Sequence, residues 1–254
     1  MLEVRDITKT YHPGTITELR LFEHFSLSVE DGQFVAIVGS NGSGKTSLLN
    51  IICGSIPIDS GDVLVGGKSI SRLKDYQRYA TMGRVYQNPA LGTCPNLTML
   101  ENLSLADNKG KPFSLGRAIN KSRIDFYREE LAGLGLGLED KLHVKMGNLS
   151  GGQRQAVALV MATMTPLEFL ILDEHTAALD PKTAEIIMRL TDKVVREKHL
   201  TAMMVTHNLR HAVEYGDRIL MMNQGQIVLD KAGEEKENTS IDEILALFNQ
   251  ISIQ

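Results

Sequence analysis

Apolar residues along the chain alternate between short unbroken runs and stretches with helical spacing. The run at 34–38 is continuous and rich in β-branched side chains, which is typical of a strand buried on both faces. It leads directly into a glycine-containing loop, and residues 48–52 then carry apolar side chains at helical spacing. The pattern therefore predicts a strand, a loop and a helix in that order.

Two later runs have the same buried-strand character and end in polar residues. Residues 169–172 lead into Asp173 and Glu174, and residues 201–206 lead into His207. Strands that alternate with helical stretches favour a mainly parallel sheet, whose ligands gather at the carboxyl ends of the strands. We therefore expect these polar residues to lie near the glycine loop.

The two ends of the chain also carry structural signals. Residues 1–6 alternate apolar and charged side chains like a strand, and residues 219–229 contain a central turn that predicts a hairpin. Ser240 with Glu243 predicts the capped start of a final amphipathic helix that reaches Phe248.

The pattern of apolar and polar residues in the middle of the chain differs from that at both ends. Residues 88–166 read as helical segments with polar connections, which predicts an inserted helical subdomain. Residues 1–87 and 167–254 would form an α/β core with a mainly parallel central sheet and an antiparallel β flank. The whole chain, 1–254, is predicted to be a single domain.

Composition narrows the classes of function. The 27 Lys and Arg residues are outnumbered by 31 Asp and Glu residues, so no basic excess favours nucleic acid as the main partner. No apolar stretch approaches the length that crosses a bilayer, and residues 1–6 lack the apolar core of a signal peptide, so we expect a cytosolic chain. Cys53 and Cys94 are predicted to be reduced and packed in the core.

The glycine loop fits the pattern of a phosphate-binding loop between a strand and a helix. Its glycines turn the backbone tightly and aim N–H groups at phosphate oxygens, and Lys45 would reach the β- and γ-phosphates. Thr46 and Asp173 would bind Mg²⁺. The predicted nucleotide-binding residues of the loop are Gly39, Ser40, Asn41, Gly42, Ser43, Gly44, Lys45, Thr46 and Ser47.

A second motif indicates which class of nucleotide-binding protein the glycine loop belongs to. The residues Leu149, Ser150, Gly151, Gly152 and Gln153, together with the phosphate loop, resemble the signatures of the ATP-binding-cassette (ABC) family. The resemblance covers nearly the whole chain and implies a P-loop ATPase with ATP and Mg²⁺ as cofactors. It also implies a head-to-tail dimer, in which the second motif completes the ATP site of a second copy of the chain.

The resemblance assigns roles to further residues. Glu174 would position the attacking water, His207 would contact the γ-phosphate, and Gln87 would sense Mg²⁺ and water. Tyr11 would stack on adenine, and Asp180 lies in a segment similar to the loop that lines the dimer interface. One alternative is a zinc pair, because His207 and His211 are four residues apart.

Residues 172–183 are most similar to those of ATPases from bacterial tryptophan/tyrosine importers, which are related to the branched-chain amino-acid type of importer. This implies a peripheral subunit on the cytoplasmic face of the membrane, with a multi-spanning permease as partner and a substrate-binding protein acting indirectly. We expect the permease to dock beside Tyr79, Arg84 and Leu91. Iron-sulfur cluster assembly and export or lipoprotein release remain alternatives that the motifs do not separate from import.

Overall fold

The computed structural model describes residues 1–111 and 119–252, with side chains up to residue 250. Ten strands lie in these ranges: β1 (Leu2–Tyr11), β2 (Leu19–Val29), β3 (Phe34–Gly39), β4 (Ser60–Val65), β5 (Lys68–Ser69), β6 (Met82–Val85), β7 (Phe169–Asp173), β8 (Ala202–Val205), β9 (Arg218–Asn223) and β10 (Gln226–Ala232). Nine α-helices accompany them: α1 (Lys45–Cys53), α2 (Asp75–Arg78), α3 (Met99–Asp107), α4 (Ile124–Ala132), α5 (Gly151–Thr163), α6 (Pro181–Glu197), α7 (Leu209–Tyr215), α8 (Gly233–Glu237) and α9 (Ile241–Ser252).

The strands form two sheets. The larger has the order β10-β9-β3-β8-β7-β6, and all its pairings are parallel except that of β10 with β9. The smaller, β2-β1-β4-β5, is antiparallel throughout. These sheets confirm the predicted α/β fold with a mainly parallel centre and an antiparallel flank.

Strand β3 is buried along its entire length, and its two faces meet different neighbours. Val35 and Ile37 belong to a cluster with the apolar face of α1 and the inner face of the antiparallel sheet. Phe34 and Val38 pack on the other side, in a cluster that includes residues of α5, α6 and α7. Each such buried side chain contributes roughly 1.5–3 kcal/mol, so the strand that leads into the glycine loop is anchored from both sides.

Most locally predicted elements are present. The runs at 34–38, 169–172 and 201–206 are strands, and 219–229 lies within a hairpin. The backbone N–H of Glu243 donates to Ser240 Oγ at 3.1 Å, as the predicted cap requires. The prediction for Cys94 was wrong, because this side chain is exposed while Cys53 is buried.

Within the described part of 88–166, the regular elements are helices and short 3-10 turns that enclose their own apolar cluster. Residues 112–118 lie outside the described ranges. The division of the chain into a core and a helical subdomain stays a prediction. None of the helices in the described ranges combines the length and apolar character needed to cross a lipid bilayer.

Candidate active site

The glycine loop connects the end of β3 to the first turn of α1. At Gly39 a Cβ atom would lie 2.3 Å from the backbone oxygen of Met222, so only glycine fits between β3 and β9. Gly44 precedes α1 with a φ of 105°, a left-handed conformation that glycine adopts readily. The loop therefore presents the N-terminus of α1, with its free N–H groups and positive dipole end, as an anion cradle.

Lys45 is only 5% exposed and is held by the loop itself. Its Nζ donates to the carbonyl oxygens of Gly39 and Ser40, both at 2.8 Å, and to Ser43 Oγ at 3.3 Å. Burial lowers the pKa of this amine, an effect that the nearby Glu174 carboxylate partly opposes. A buried cation is thus fixed at the base of the cradle.

A cavity of about 430 Å³ opens above this loop. It brings together most of the residues predicted to contact the nucleotide. Its lining consists of Tyr11, His12, Thr17, Leu19, Leu21, Asn41, Gly42, Ser43, Gly44, Lys45, Thr46, Ser47, Glu174 and His207. This lining combines an aromatic ring, the N–H groups and ammonium of the glycine loop, and an acid–imidazole pair, which together suit a nucleotide.

Glu174 and His207 meet at this cavity because they follow adjacent parallel strands, β7 and β8. His207 Nε2 lies 2.6 Å from Glu174 Oε1, and the side chain of Glu174 is 18% exposed. The backbone of Glu174 has a φ of 48°, unusual for a residue other than glycine, and its N–H donates to the carbonyl of Val205. The turn holds the carboxylate at the end of the sheet.

Asp173 and Gln87 are placed differently. Arg84 Nη2 donates to Asp173 Oδ2 at 2.6 Å, and both side chains are largely buried beside the cavity rather than in its lining. Gln87 is exposed and also lies outside the lining. The structure thus joins Lys45, Thr46, Glu174 and His207 in one cavity, but it does not bring Gln87 to them.

The second motif lies outside the Lys45 cavity. Ser150 caps α5: its Oγ accepts from the N–H of Gln153, whose side chain accepts from the N–H of Ser150, both at 3.2 Å. Ser150 and Gly151 are exposed. The motif therefore offers a helix N-terminus to the surface.

The back of the second motif packs against the segment that contains Asp180. A Cβ at Gly152 would lie 2.3 Å from Thr183 Cγ2, so the Thr183 side chain packs directly on this backbone only because residue 152 is glycine. Asp180 caps α6 by accepting from the N–H of Thr183 at 3.1 Å. The segment from Glu174 to Thr183 thus joins the cavity to the second motif.

The zinc alternative for His207 and His211 is wrong in this geometry. His207 pairs with Glu174, whereas His211 is buried and faces Glu185 at 3.6 Å. Across the described ranges, no cluster of three His, Cys, Asp or Glu side chains could hold a metal ion. The two imidazoles therefore do not form a shared site.

Arg84, beside the cavity, makes contacts that the sequence did not reveal, and the cavity residues His12, Thr17, Leu19 and Leu21 were not predicted either. The second nitrogen of Arg84, Nη1, donates to Asn50 Oδ1 of α1 at 2.9 Å. The sequence offered one weak signal, because a charged residue inside the apolar strand Met82–Val85 needs a buried partner of opposite charge. Which residue is that partner depends on the pairing between β6 and β7, which the sequence does not show.

Comparison with known proteins agrees with this geometry. Residues 22–177 match the ABC transporter family. The tyrosine transport ATP-binding protein of Clostridioides difficile (strain R20291) is 46% identical over 253 residues, which cover 98% of each chain.

Solved structures show the same architecture. The ATP-binding cassette MJ0796, a dimer bound to ADP and Pi in a post-hydrolysis state, is 31% identical with a TM-score of 0.76, and the match covers 91% of this chain and 98% of that one. The cassette cbiO1 from Clostridium perfringens, part of the ABC transporter complex cbiONQ, is 25% identical with a TM-score of 0.77 and coverage of 98% and 94%.

Proposed function

This chain belongs to the ABC transporter family of ATP-hydrolysing subunits, and from that premise we propose that it energises a bacterial importer of amino acids, aromatic ones among them. The observation that carries the proposal is the cavity in which Lys45, Thr46, Glu174 and His207 meet. The solute class is supported by the name of the tyrosine transport relative, which matches nearly the whole chain.

We place ATP along the cavity, with its base against the Tyr11 ring and its phosphates on the glycine loop. Stacking of a base on an aromatic ring contributes roughly 1–3 kcal/mol. The N–H groups at the start of α1 and the Lys45 ammonium would bind the phosphate oxygens, and such charge-assisted bonds are the stronger class of hydrogen bond. On binding, the ammonium would exchange loop carbonyls for phosphate oxygens.

Hydrolysis would use the acid–imidazole pair of Glu174 and His207. The Glu174 carboxylate can accept a hydrogen bond from a water and orient it toward the γ-phosphate. The His207 contact to Oε1 leaves Oε2 for that water, and His207 lines the same cavity, where its imidazole would contact the γ-phosphate. Glu174 and His207 therefore act together in the proposed mechanism.

The residues present also fit Mg²⁺. The Thr46 hydroxyl lines the cavity, and no hydrogen bond joins Asp173 Oδ1 to another described residue. One hydroxyl and one carboxylate suit an ion that keeps most of its ligands as water and phosphate oxygens. When bound, Mg²⁺ would neutralise charge on the β- and γ-phosphates. Gln87 would join only if its segment moved inward.

The separation of the two motifs supports a dimer. Ser150 and Gly151 present a second anion cradle on the surface, away from the Lys45 of their own chain. In a head-to-tail pair, that cradle would close over the ATP of the partner, and Asp180 would lie at the interface. ATP would then hold two copies together, and its hydrolysis would release them.

A second cavity of about 430 Å³ beside β6 is the proposed docking place for the permease. Leu91 is 71% exposed at its edge, and Tyr79 and Leu105 also line it. Arg84 lines the inner wall, but its side chain is only 7% exposed and engages Asp173. The charge of Arg84 is therefore already paired inside the chain, and docking of the permease beside Tyr79, Arg84 and Leu91 stays a proposal.

The proposed assembly puts the chain on the cytoplasmic face of the membrane, with a substrate-binding protein acting through the permease. We would measure uptake of labelled tyrosine, tryptophan and leucine by cells that express wild type, Glu174→Gln or Leu91→Trp. Glu174→Gln should abolish uptake, and Leu91→Trp should reduce it while ATP hydrolysis by the isolated chain stays normal. Uptake that is independent of Glu174, or pull-downs that recover only soluble cluster-assembly proteins, would refute the importer.

A further inference from the structure

Arg84 lies at the meeting point of three elements that surround the proposed metal side of the site. From β6 it reaches Asp173 at the end of β7 and Asn50 in α1, at 2.6 and 2.9 Å. Its guanidinium carbon lies 4.7 Å from the centre of the Tyr86 ring. One hydrogen bond from each Nη and the contact with the Tyr86 ring hold the guanidinium in place, while its buried Nε has no hydrogen-bond partner among the described residues.

The pair with Asp173 uses only part of the carboxylate. Nη2 engages Oδ2, whereas Oδ1 makes no hydrogen bond to any other described residue. An ion pair formed only for stability gains from a bidentate contact, in which both oxygens are used. Here the second donor of the fork, Nη1, goes to Asn50 instead. One carboxylate oxygen is therefore fixed and the other is left available.

We infer that Arg84 is a positioning residue for the metal-binding carboxylate: it holds Oδ2 of Asp173 so that Oδ1 is left to the ion. The inference rests on the proposed function, which makes Asp173 a ligand of Mg²⁺. Hydrogen bonds that orient a ligand carboxylate are part of how proteins tune metal affinity. Asn50 and Tyr86 act through Arg84, because both contact its guanidinium.

The test is the substitution Arg84→Lys, which keeps the charge but loses the planar fork and the guanidinium contact with the Tyr86 ring. Binding of a fluorescent ATP analogue would be measured in EDTA and across a Mg²⁺ titration. In EDTA the affinity should stay within about twofold of wild type, while the Mg²⁺ concentration that gives half of the Mg²⁺-dependent effect should rise roughly tenfold or more. A second variant, Asn50→Ala, releases one arm of Arg84 and should shift the titration in the same direction by a smaller factor.

Arg78→Lys is the matched control. Arg78 is also a buried arginine next to α1, but its Nη1 donates to the backbone oxygens of Ile51 and Ile52, away from Asp173. It should lower the midpoint of urea unfolding and leave the Mg²⁺ titration unchanged.

Three results would overturn the inference. Arg84→Lys and Asn50→Ala could both leave the Mg²⁺ requirement unchanged, or both lower it, which would make Arg84 a competitor of the ion. Equal losses of affinity in EDTA and in Mg²⁺ would show a purely structural role. Wild-type binding and hydrolysis without any dependence on Mg²⁺ would refute the proposed metal site itself, and this outcome is distinct from the other three.

Discussion

Two loops in this chain end in the N-terminus of a helix, yet their surroundings are opposite. The loop before α1 encloses the buried ammonium of Lys45 and faces Glu174 and His207 across a cavity. The loop before α5 is closed by the reciprocal bonds of Ser150 and Gln153 and opens directly to the surface. Both offer N–H donors to an anion, but only the first supplies a cation and an acid.

The difference shows which loop can bind a phosphate alone. A cavity with charge, donors and an acid can bind a phosphate within one chain, whereas hydrolysis in the proposed dimer also uses the second loop of the partner. An exposed helix N-terminus supplies N–H donors and a partial positive charge, which is a modest contribution that water and salt screen. The second loop therefore becomes effective only when another surface covers it, and ATP on a second copy provides that surface in the proposed dimer.

The largest effect should come from Glu174→Gln, which keeps the shape of the side chain and removes the carboxylate. We expect ATP to bind and turnover to fall by roughly 10² or more. Steady-state hydrolysis and size-exclusion chromatography with ATP would measure the rate and the accumulated dimer. Near-normal turnover would show that another group positions the water.

Lys45→Ala should weaken ATP binding at the first loop, because it removes the cation that the second loop lacks. Loss of a charge-assisted contact costs roughly 1.5–3 kcal/mol, or about 10- to 150-fold in affinity. Equilibrium binding of labelled ATP would measure it, with Ser150→Arg as a control whose own cavity is intact. Wild-type affinity in Lys45→Ala would contradict the assignment of the first loop.

The close contact behind the second loop should be sensitive to a single methyl group. Gly152→Ala places a Cβ against the Thr183 methyl and should cost about 1–3 kcal/mol in urea unfolding. Thr183→Ser removes that methyl and should restore most of the loss. Gly151→Ala, whose Cβ would lie 3.3 Å from Leu179, should be nearly neutral. Equal losses at both glycines would mean that packing against Thr183 is not the cause.

An experiment that mixes two variants has the smallest expected signal, but it tests most directly whether the second loop acts on the ATP of another chain. Mixing Ser150→Arg with Lys45→Ala chains should form hybrids with one intact site, and random pairing should restore about a quarter of wild-type activity. A chain that carries both substitutions is the control and should restore none when mixed with Lys45→Ala. No recovery in the first mixture, with stable hybrids present, would contradict a shared site.

Local patterns were sufficient for the elements that position the cavity. β3, α1, β7 and β8 were predictable because buried strands and apolar helix faces have distinct periods. The meeting of Glu174 and His207 followed from the rule that parallel strands end at one edge. Their chemical roles stay predictions.

The features that were not predicted depend on contacts between residues far apart in the sequence. β2 was missed because its partners are set by pairing with β1, across register shifts that sequence periodicity does not show. Arg84 was expected beside the docking groove of the permease, and its bond to Asp173 was not predicted, since nothing near it in the chain shows that it reaches a residue 89 positions away. Cys94 was expected in the core, but its exposure depends on how neighbouring turns pack.

The hydrogen bonds of Lys45 have a consequence for biosynthesis. An ammonium has three donors, and here the loop supplies three oxygens, from Gly39, Ser40 and Ser43. The most polar part of the site is thereby completed by atoms of the same short segment, so a newly made chain can finish folding before it meets ATP or a second copy. In the proposed importer, the subunit can thus fold completely before it binds the permease.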